Sequence, residues 1–532
     1  MKIEGTVSGK TVMFPYKNLE FGKECVFILP GGSVMDRCDN AIKAQITIHF
    51  TVRQRPEVAK AAYDFVVPDM GTFKEAIDAA NKRDNKDKRF VIFVKKGTYE
   101  LPWSETETVT NNGVTLPSPM TYLNASNTSI IGEDRDATVI TNLMKDNTPV
   151  GTAYPIEGLH NVTTLYINKN VENTYIQDIT LKNGLNDACG RGEAIEDNGN
   201  KTICKNVALR GYQDTYCSNN QNGRFYFEGG YFRGRTDYLC GKGDVFFNGV
   251  EFRQIKGGYL AVPSTPRKYG YILKDCVIVG ENSDKKDDGK AEEVTGNYTL
   301  GRPWGNGTPI ALYIDTKMNV IPSAIGWNEM SGGWPARFAE YNSMTANGTV
   351  IDLNGRKTTF GDNHANNPVL TKEEADQHTI ANVMGDGDDW DPTLYTEQAP
   401  MPENVKLTDG VTLSWDDSQY ASLWAICADG KVIAFTTEPS YSLSAPEAVA
   451  AQAAAPAEVV YSVRAANEMG GLGEAVEATS ESAINEIAAE APVAVEYYNL
   501  QGMRVNAGTQ GLLIKKEILA NGSTRTSKVI VK

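Results

Sequence analysis

A seven-residue apolar pattern that recurs through the middle of the chain constrains the fold more than any other feature of the sequence. In each of five copies a turn-forming residue stands fourth between apolar residues: YIQDITL from Tyr175, ICKNVAL from Ile203, YFEGGYF from Tyr226, FFNGVEF from Phe246 and ILKDCVI from Ile272. The starts are 28, 23, 20 and 26 residues apart. Short β-type runs at this period predict a parallel β-helix, whose coils stack at the strand spacing of about 4.8 Å. An antiparallel β-sandwich with coincidental spacing is the alternative.

The flanking segments predict smaller elements around an all-β core. GTFKEAIDAANKRD, residues 71–84, places its apolar residues on one helical face, so we expect an amphipathic helix that covers the exposed edge of the first coil. Proline-bounded short strands, hairpin turns and Trp415 after residue 400 are typical of a fibronectin type III sandwich. The predicted domains are an N-terminal β segment at 1–62 belonging to a small sandwich, the β-helix at 63–395, an accessory β-sandwich at 400–485 and a C-terminal β module at 490–532.

Composition and charge disfavour several classes of function. The chain has 52 basic and 67 acidic residues, a net charge of −15, which argues against a nucleic-acid partner. It has no run of 18 apolar residues, so no membrane span is expected. The absence of a CxxC pair and the scattering of only four histidines argue against a zinc site and a histidine-activated nucleophile. We therefore expect acid–base chemistry by carboxylates, without a metal.

Two aspartates occupy equivalent positions on successive predicted coils. Asp214, in GYQDTYCSNN, lies 11 residues after the coil start at Ile203, and Asp237 lies 11 residues after the start at Tyr226. Equal offsets predict stacked carboxylates with Cα atoms about 5 Å apart. Like charges at this distance push two pKa values apart, which suits a nucleophile and an acid in covalent ester hydrolysis. Turn capping, a glycosidase pair and a calcium site are open alternatives from the spacing alone.

Around these aspartates the sequence resembles the pectin methylesterases, carbohydrate esterase family eight. The matching segments follow the family's order over about residues 64–360: GTYE at 97–100, IIGEDRDATVI at 130–140, GYQDTY at 211–216, TDYLCG at 236–241, LGRPW at 300–304, and the spaced residues Gly326, Trp327, Ala339, Glu340 and Tyr341. The resemblance implies a right-handed parallel β-helix that needs no cofactor. It also implies conversion of methyl-esterified polygalacturonate (pectin) to pectate and methanol.

The resemblance also implies roles for individual residues. Asp237 matches the nucleophile that attacks the methyl-ester carbonyl. Asp214 matches the general acid that protonates departing methanol and then acts as base for the hydrolytic water. Gln213 matches an amide that stabilises the oxyanion, and Arg302 matches the guanidinium that orients the nucleophile and keeps it ionised. Trp304 matches an aromatic residue of the sugar-binding cleft.

The sequence departs from the family at two places. A second oxyanion glutamine is expected before an apolar run, but GRGEAIEDNGNKT offers Arg191 or Glu193 instead. The Phe that usually follows the nucleophile is Tyr238, and the next aromatic position holds Cys240. These departures leave two alternatives open: a member retargeted to another ester or thioester, and a non-catalytic pectin-binding surface β-helix. The expected substrate-binding residues are Trp304, Tyr238, Thr215, Arg191 and Glu193.

The C-terminal sequence bears on localisation. YYNLQGMRV and the following strands are similar to sorting or anchoring modules of secreted bacterial polysaccharide-degrading enzymes, with a plain hairpin pair as the alternative. We therefore expect a monomeric, bacterial-type protein that is secreted or held at the cell surface. The first residues, MKIEGTVSGK, lack the pattern of a secretory signal, so an export signal would have been removed from this sequence.

Overall fold

The computed structural model describes residues 5–8, 11–14, 19, 22–35, 40–53, 55–111, 113–142, 162–185, 191–281, 297–443, 459–481, 493–518 and 523–531. Strands dominate these residues. The helices within them are Phe73–Lys82, Lys372–Asp376, Ile380–Met384 and Thr393–Thr396.

Each copy of the recurring pattern folds as two strands separated by two residues, the first of which has left-handed backbone. That residue is the turn-former in the fourth position. Glycine, asparagine and aspartate adopt this conformation at lower cost than other residues, which explains why only they occur there. The φ angles are 52° at Asp178, 49° at Asn206, 60° at Gly229, 63° at Gly249 and 55° at Asp275.

The strands before these turns form a ten-stranded parallel sheet, and the predicted coil starts are its in-register Cα partners. Tyr175 pairs with Ile203, Ile203 with Tyr226, Tyr226 with Phe246, and Phe246 with Ile272. The parallel β-helix is thereby confirmed. In spatial order the strands are Phe65–Val67, Phe90–Val94, Thr128–Gly132, Tyr175–Gln177, Thr202–Lys205, Arg224–Glu228, Asp244–Asn248, Tyr271–Lys274, Ile310–Ile314 and Arg337–Tyr341.

The strands after the turns belong to a fourteen-stranded parallel sheet made of two ladders. The ladders merge in two long strands, Tyr231–Gly241 and Glu251–Pro263. The other strands of the first ladder are Gly97–Leu101, Thr138–Asn142, Thr180–Lys182, Ala208–Arg210, Val277–Glu281, Lys317–Met318 and Met344–Thr345. The other strands of the second ladder are Thr121–Leu123, Leu165–Ile167, Ile195–Asp197, Tyr216–Ser218 and Tyr298–Gly301.

Apolar side chains from both sheets fill the interior of the coils. Phe227, Phe232, Phe247 and Phe252 form a chain of ring contacts with centroids 5.0–5.6 Å apart. Aromatic pairs at this distance stabilise a core beyond the area that they bury.

The predicted amphipathic helix forms at Phe73–Lys82. Its buried residues are the four that the periodicity indicated, Phe73, Ala76, Ile77 and Ala80. They join the hydrophobic cluster that contains residues of the first coil. A capping box between Thr72 and Glu75 fixes where the helix begins.

The remaining strands form small sheets. Two-stranded antiparallel sheets pair Thr6–Ser8 with Thr11–Met13, Glu24–Leu29 with Ile46–Thr51, Thr108–Asn111 with Val114–Pro117, and Thr359–Phe360 with His364–Ala365. One four-stranded sheet contains Ser440–Ser442, Thr412–Ser414, Lys406–Thr408 and Thr479–Glu481. A second contains Lys431–Thr436, Trp424–Ala428, Tyr461–Ala465 and Val476–Glu477. A third contains Arg504–Val505, Ala494–Tyr498, Gly511–Ile518 and Thr524–Val531.

The described residues divide into two compact units. The first comprises those in 1–405, 415–441 and 458–477, and the second those in 406–414, 442–457 and 478–532. Within the first unit, the sheet that contains Trp424–Ala428 shares a hydrophobic cluster with the outer face of the ten-stranded sheet. The segment expected to form a sandwich at 400–485 thus contributes to both units. The fibronectin type III assignment and the domain limits stay predictions.

Candidate active site

The two aspartates meet where the second ladder joins the long strand Tyr231–Gly241. Gln213 is the parallel-bridge partner of Thr236, and the backbone N–H of Asp214 donates to the carbonyl of Thr236 at 3.1 Å. Asp214 and Asp237, each one residue further along, therefore occupy the same position on adjacent coils. This is the placement that their equal offsets predict.

The backbone around both aspartates is unusual for a strand. Asp214 has a φ of 58° and Asp237 a φ of 54°, both in the left-handed region. The register of the long strand also shifts on both sides of Thr236, between Gly234 and Leu239. A bulge re-aims the side chains of a strand, and such bulges are frequent beside active sites. Aspartate is one of the few residues that accept this backbone.

Arg302 binds Asp237 through a two-pronged ion pair. It directly follows the strand Tyr298–Gly301, and its backbone N–H donates to the Ala261 carbonyl at 3.0 Å. The Arg302 Nε donates to Asp237 Oδ1 at 2.9 Å, and Nη2 donates to Oδ2. This geometry uses both carboxylate oxygens and favours the ionised form of Asp237.

Tyr259 supports Arg302, and sequence reasoning missed it. The centre of the Arg302 guanidinium lies 4.0 Å from the centroid of the Tyr259 ring, a cation–π contact. Tyr259 is the Cα partner of Thr236 one coil further along. No motif contains Tyr259, so only the register of the long strand Glu251–Pro263 could have located it.

The environment separates the two carboxylates electrostatically. Asp214 and Asp237 are 6% and 4% exposed. Burial, and then the charge of Asp237, raise the pKa of Asp214 to about 8, against the opposing charges of Arg191 and Arg302. Burial also raises the pKa of Asp237, but the hydrogen bonds from Arg302 oppose that rise. Asp214 therefore holds a proton at neutral pH, whereas the Arg302 hydrogen bonds counteract the effect of burial on the pKa of Asp237.

The two candidates for a second oxyanion donor face different surroundings. Arg191 is exposed, and its backbone pairs with Gln213 in a parallel bridge on the preceding coil. Glu193 is 1% exposed, and its Oε2 accepts a hydrogen bond from the Thr163 hydroxyl. Glu193 thus lies in the interior, whereas Arg191 stands beside Gln213 on the outside.

Two residues expected to bind substrate are fully buried. Thr215 is 0% exposed, and its hydroxyl donates to the Arg233 carbonyl at 3.0 Å. Tyr238 is also 0% exposed and belongs to the interior hydrophobic cluster. Both side chains pack beneath the aspartates, so contacts with a bound chain would have to come from other residues.

Trp304 lies on the accessible side of the site. It is half-buried, and its backbone N–H donates to the Pro263 carbonyl at 3.0 Å. Together with Met330 it packs on a small cluster formed by Cys217, Cys240 and Val262. Cys240, which stands where an aromatic residue was expected, therefore makes part of the floor beneath Trp304.

Neither a metal centre nor a spanning helix occurs in the part of the chain that the structure describes. Among those residues no three histidine, cysteine, aspartate or glutamate side chains come together as metal ligands. None of the described helices is long and apolar enough to cross a membrane.

Comparison of the sequence with known protein families identifies the class of this protein. A family model described as Pectinesterase matches residues 64–388, and the chain belongs to this family. The chain is 26% identical over 156 residues to "Probable pectinesterase A" of Neosartorya fischeri, a match that covers 29% of this chain and 45% of that one. It is 24% identical over 316 residues to "Pectinesterase" of Aspergillus aculeatus, covering 54% of this chain and 80% of that one.

The solved structures to which the chain is similar include "Pectin methylesterase from Carrot". The match has 19% sequence identity and a TM-score of 0.47, and it covers 64% of this chain and 98% of that one. Across several of its curated relatives, the chain spans about half of the relative's length.

Proposed function

We propose that this protein is a pectinesterase that removes methyl groups from methyl-esterified homogalacturonan, releasing pectate and methanol. The observation that carries the proposal is the pair of in-register buried aspartates, of which only Asp237 is bound by Arg302. One carboxylate is thus prepared as a nucleophile and its neighbour as an acid. Membership of the pectinesterase family supports the choice of substrate.

In the first half of the reaction, Asp237 attacks the carbonyl carbon of the methyl ester. The carbonyl π electrons move to oxygen and give a tetrahedral oxyanion. When the intermediate collapses, the bond to the methoxy oxygen breaks, and Asp214 gives that oxygen its proton, so methanol leaves. The galacturonyl group remains attached to Asp237 as an anhydride.

In the second half, Asp214 is an anion and acts as the general base. It takes a proton from a water molecule as the water oxygen attacks the galacturonyl carbon. The anhydride bond breaks, Asp237 recovers its negative charge in the Arg302 ion pair, and the product leaves as a free carboxylic acid that ionises in water. Asp214 is protonated again, as it was at the start.

The oxyanion would be stabilised by Gln213 and Arg191. The Gln213 amide stands one residue before Asp214, and Arg191 is its backbone partner on the preceding coil. Glu193 does not fit this role, because a carboxylate donates no hydrogen bond and its Oε2 already accepts one from Thr163. Removing one oxyanion donor from comparable sites costs about 3 kcal/mol in the transition state.

The same proposal places the protein outside the cell. A methyl-esterified polysaccharide is too large to reach an enzyme enclosed by a membrane, which supports a secreted or surface-held protein. Trp304, half-buried beside the aspartates, offers a face on which a sugar ring can pack. We further propose that the protein acts as a monomer, and that residues 490–532 form a bacterial-type sorting or anchoring module.

Methanol release from highly methylated pectin tests the function directly. The parent should release methanol, whereas Asp237→Ala and Asp214→Ala should each lose at least about a thousandfold in kcat/KM. Asp275→Asn is a matched control, because Asp275 has the same left-handed backbone (φ 55°) in a turn of the sheet, and it should keep full activity.

Arg191→Gln and Glu193→Gln distinguish the two candidate oxyanion donors. We expect kcat to fall for Arg191→Gln and to change little for Glu193→Gln. Methanol release that persists in Asp237→Ala would refute the mechanism. A parent that binds pectin without releasing methanol would refute the function.

A further inference from the structure

A second cavity lies away from the candidate active site, at the beginnings of four adjacent strands of the ten-stranded sheet. Its volume is about 310 Å³. Arg89, Asn127, Thr174 and Lys201 line it, and each directly precedes a strand of that sheet. Tyr395 and Trp390, with Glu468 and Met469, complete the lining. None of these residues belongs to the catalytic arrangement around Asp237.

Arg89 is the feature that points to a ligand. Its Nη1 donates to Ser129 Oγ and to the Asn173 carbonyl, both at 3.1 Å, and its Nη2 donates to the same carbonyl at 3.2 Å. Three of its five N–H groups are thereby used, and no carboxylate among the described residues lies within ion-pair distance of it. Burial lowers the pKa of the guanidinium to about 10, with the charge of Glu468 opposing. A partly desolvated cation that has no carboxylate within ion-pair distance favours an anionic ligand.

The other polar groups of the cavity differ in whether they already have a hydrogen-bond or ion-pair partner. The Thr174 hydroxyl is buried, with the residue 1% exposed, and it has no hydrogen-bond partner. Lys201 is already paired with Asp388 at 2.8 Å, and Glu468 is an exposed residue. Arg89 therefore supplies a positive charge without an ion pair, whereas the Thr174 hydroxyl has almost no accessible surface and does not open into the cavity.

The lining also indicates the kind of anion. Tyr395 is half-buried and Trp390 is 8% exposed, so the cavity has aromatic surface beside the amide side chains of Asn127 and Asn173. Aromatic faces combined with hydroxyl-binding groups are suited to a sugar ring. A cavity of about 310 Å³ is at the small end for ligand sites and holds one sugar unit rather than a chain.

We propose that this cavity binds a single uronate residue, whose carboxylate pairs with Arg89 and whose ring packs against Tyr395. The choice of galacturonate rests on the proposed function, because that sugar acid is the unit of the expected product. The anion site itself does not depend on it. Because the cavity holds one sugar unit, it would take a free uronate or the terminal unit of a demethylated chain.

Calorimetric titration of the full chain with D-galacturonate, D-galactose and acetate tests the site. Galacturonate should bind, while galactose, which lacks the carboxylate, and acetate, which lacks the ring, should each bind at least about tenfold more weakly. Arg89→Gln should lose one galacturonate site. Lys88→Gln should retain it, because Lys88 is the exposed neighbour of Arg89 and its substitution makes the same change in charge.

Tyr395→Leu keeps the test decisive if Arg89→Gln fails to fold. Tyr395 is half-buried and lines the cavity, so this variant keeps apolar packing, loses the aromatic face and should bind galacturonate several-fold more weakly. Identical galacturonate binding in the parent, Arg89→Gln and Tyr395→Leu would overturn the site, and equal affinity for acetate would overturn its assignment to a sugar acid. This experiment measures galacturonate binding and does not depend on catalysis. A parent protein that releases no methanol would therefore refute the proposed function without refuting the binding site.

Discussion

Asp214, the acid of the proposed mechanism, also affects the stability of the fold. Its carboxyl is almost fully buried on a left-handed backbone, and its pKa is raised to about 8 by burial and by Asp237. An unfolded aspartate titrates near 3.9, so between about pH 4 and pH 8 the folded state holds a proton that the unfolded state has released. Stability from this protonation is complete below about pH 4 and is lost as the pH rises to about 8. The group proposed as the acid for methanol departure thus destabilises the fold at alkaline pH.

Asp214→Asn should therefore stabilise the protein while abolishing methanol release. Because the amide carries no charge at any pH, the gain in Tm should grow from pH 5 to pH 8 and reach roughly 2–4 °C there. Scanning calorimetry at the two pH values measures it. Asp389→Asn, at an exposed residue with the same left-handed backbone (φ 54°), is the matched control and should change Tm equally little at both. A gain that does not depend on pH would contradict the raised pKa.

At the scale of elements, the turn between the two strands of each seven-residue pattern determines where the coil bends. Gly249 has a φ of 63°, and a Cβ atom added to it would meet no atom within 4 Å. The site therefore has room for a side chain but demands left-handed backbone. Substitutions of Gly249 therefore measure the cost of backbone strain without the cost of a steric clash.

Gly249→Asn should be tolerated, whereas Gly249→Val should destabilise the β-helix by about 1–2 kcal/mol. Asparagine occupies the equivalent turn at Asn206, with a φ of 49°, while a β-branched residue is strained in this conformation. Urea unfolding measures the free energy of unfolding of both variants, at a position where added side-chain atoms have open space. Equal stabilities would show that the turn does not require left-handed backbone.

Much of the coil could be predicted from the sequence because the seven-residue pattern spans two strands and the turn between them. Its five copies gave the register of the central coils, and the helix pattern gave all four buried residues of Phe73–Lys82. The coil at Ile310–Ile314 escaped notice although Asp315 has the same left-handed backbone (φ 53°). There Thr316 follows the turn residue, at a position where the five recognised copies have an apolar residue or glycine.

The site was predictable only in part. Equal offsets placed Asp214 opposite Asp237, because a regular coil keeps its register over one turn. The interior direction of Glu193 and the contact of Tyr259 with Arg302 could not be read in the same way. Both depend on how the long strand bulges and on which side of the coil each residue faces, and a shift of one residue reverses that side.

At the scale of the whole molecule, the outer face of the β-helix packs against residues that the sequence pattern assigns to an accessory sandwich. Phe435, in the strand Lys431–Thr436, lies edge-on to Tyr63 and Phe93, with ring centroids 4.8 and 4.9 Å apart. Tyr63 and Phe93 are 8% and 0% exposed and belong to the outer face of the ten-stranded sheet. Within this compact unit the two parts should therefore unfold together.

Phe435→Ala should lower the Tm of the main unfolding transition, because it removes an aromatic ring that both Tyr63 and Phe93 contact. Truncation of a fully buried Phe costs about 3–5 kcal/mol, so about 2 kcal/mol is expected for this half-buried ring. Val460→Ala, at a residue that is 46% exposed beside the strand Tyr461–Ala465, is the control and should leave the transition unchanged. An independent sandwich at 400–485 would give a different calorimetric trace: Phe435→Ala would shift a small separate transition, and the main one would stay in place. A single shifted transition would show instead that these strands stabilise the β-helix on the face opposite to its interior.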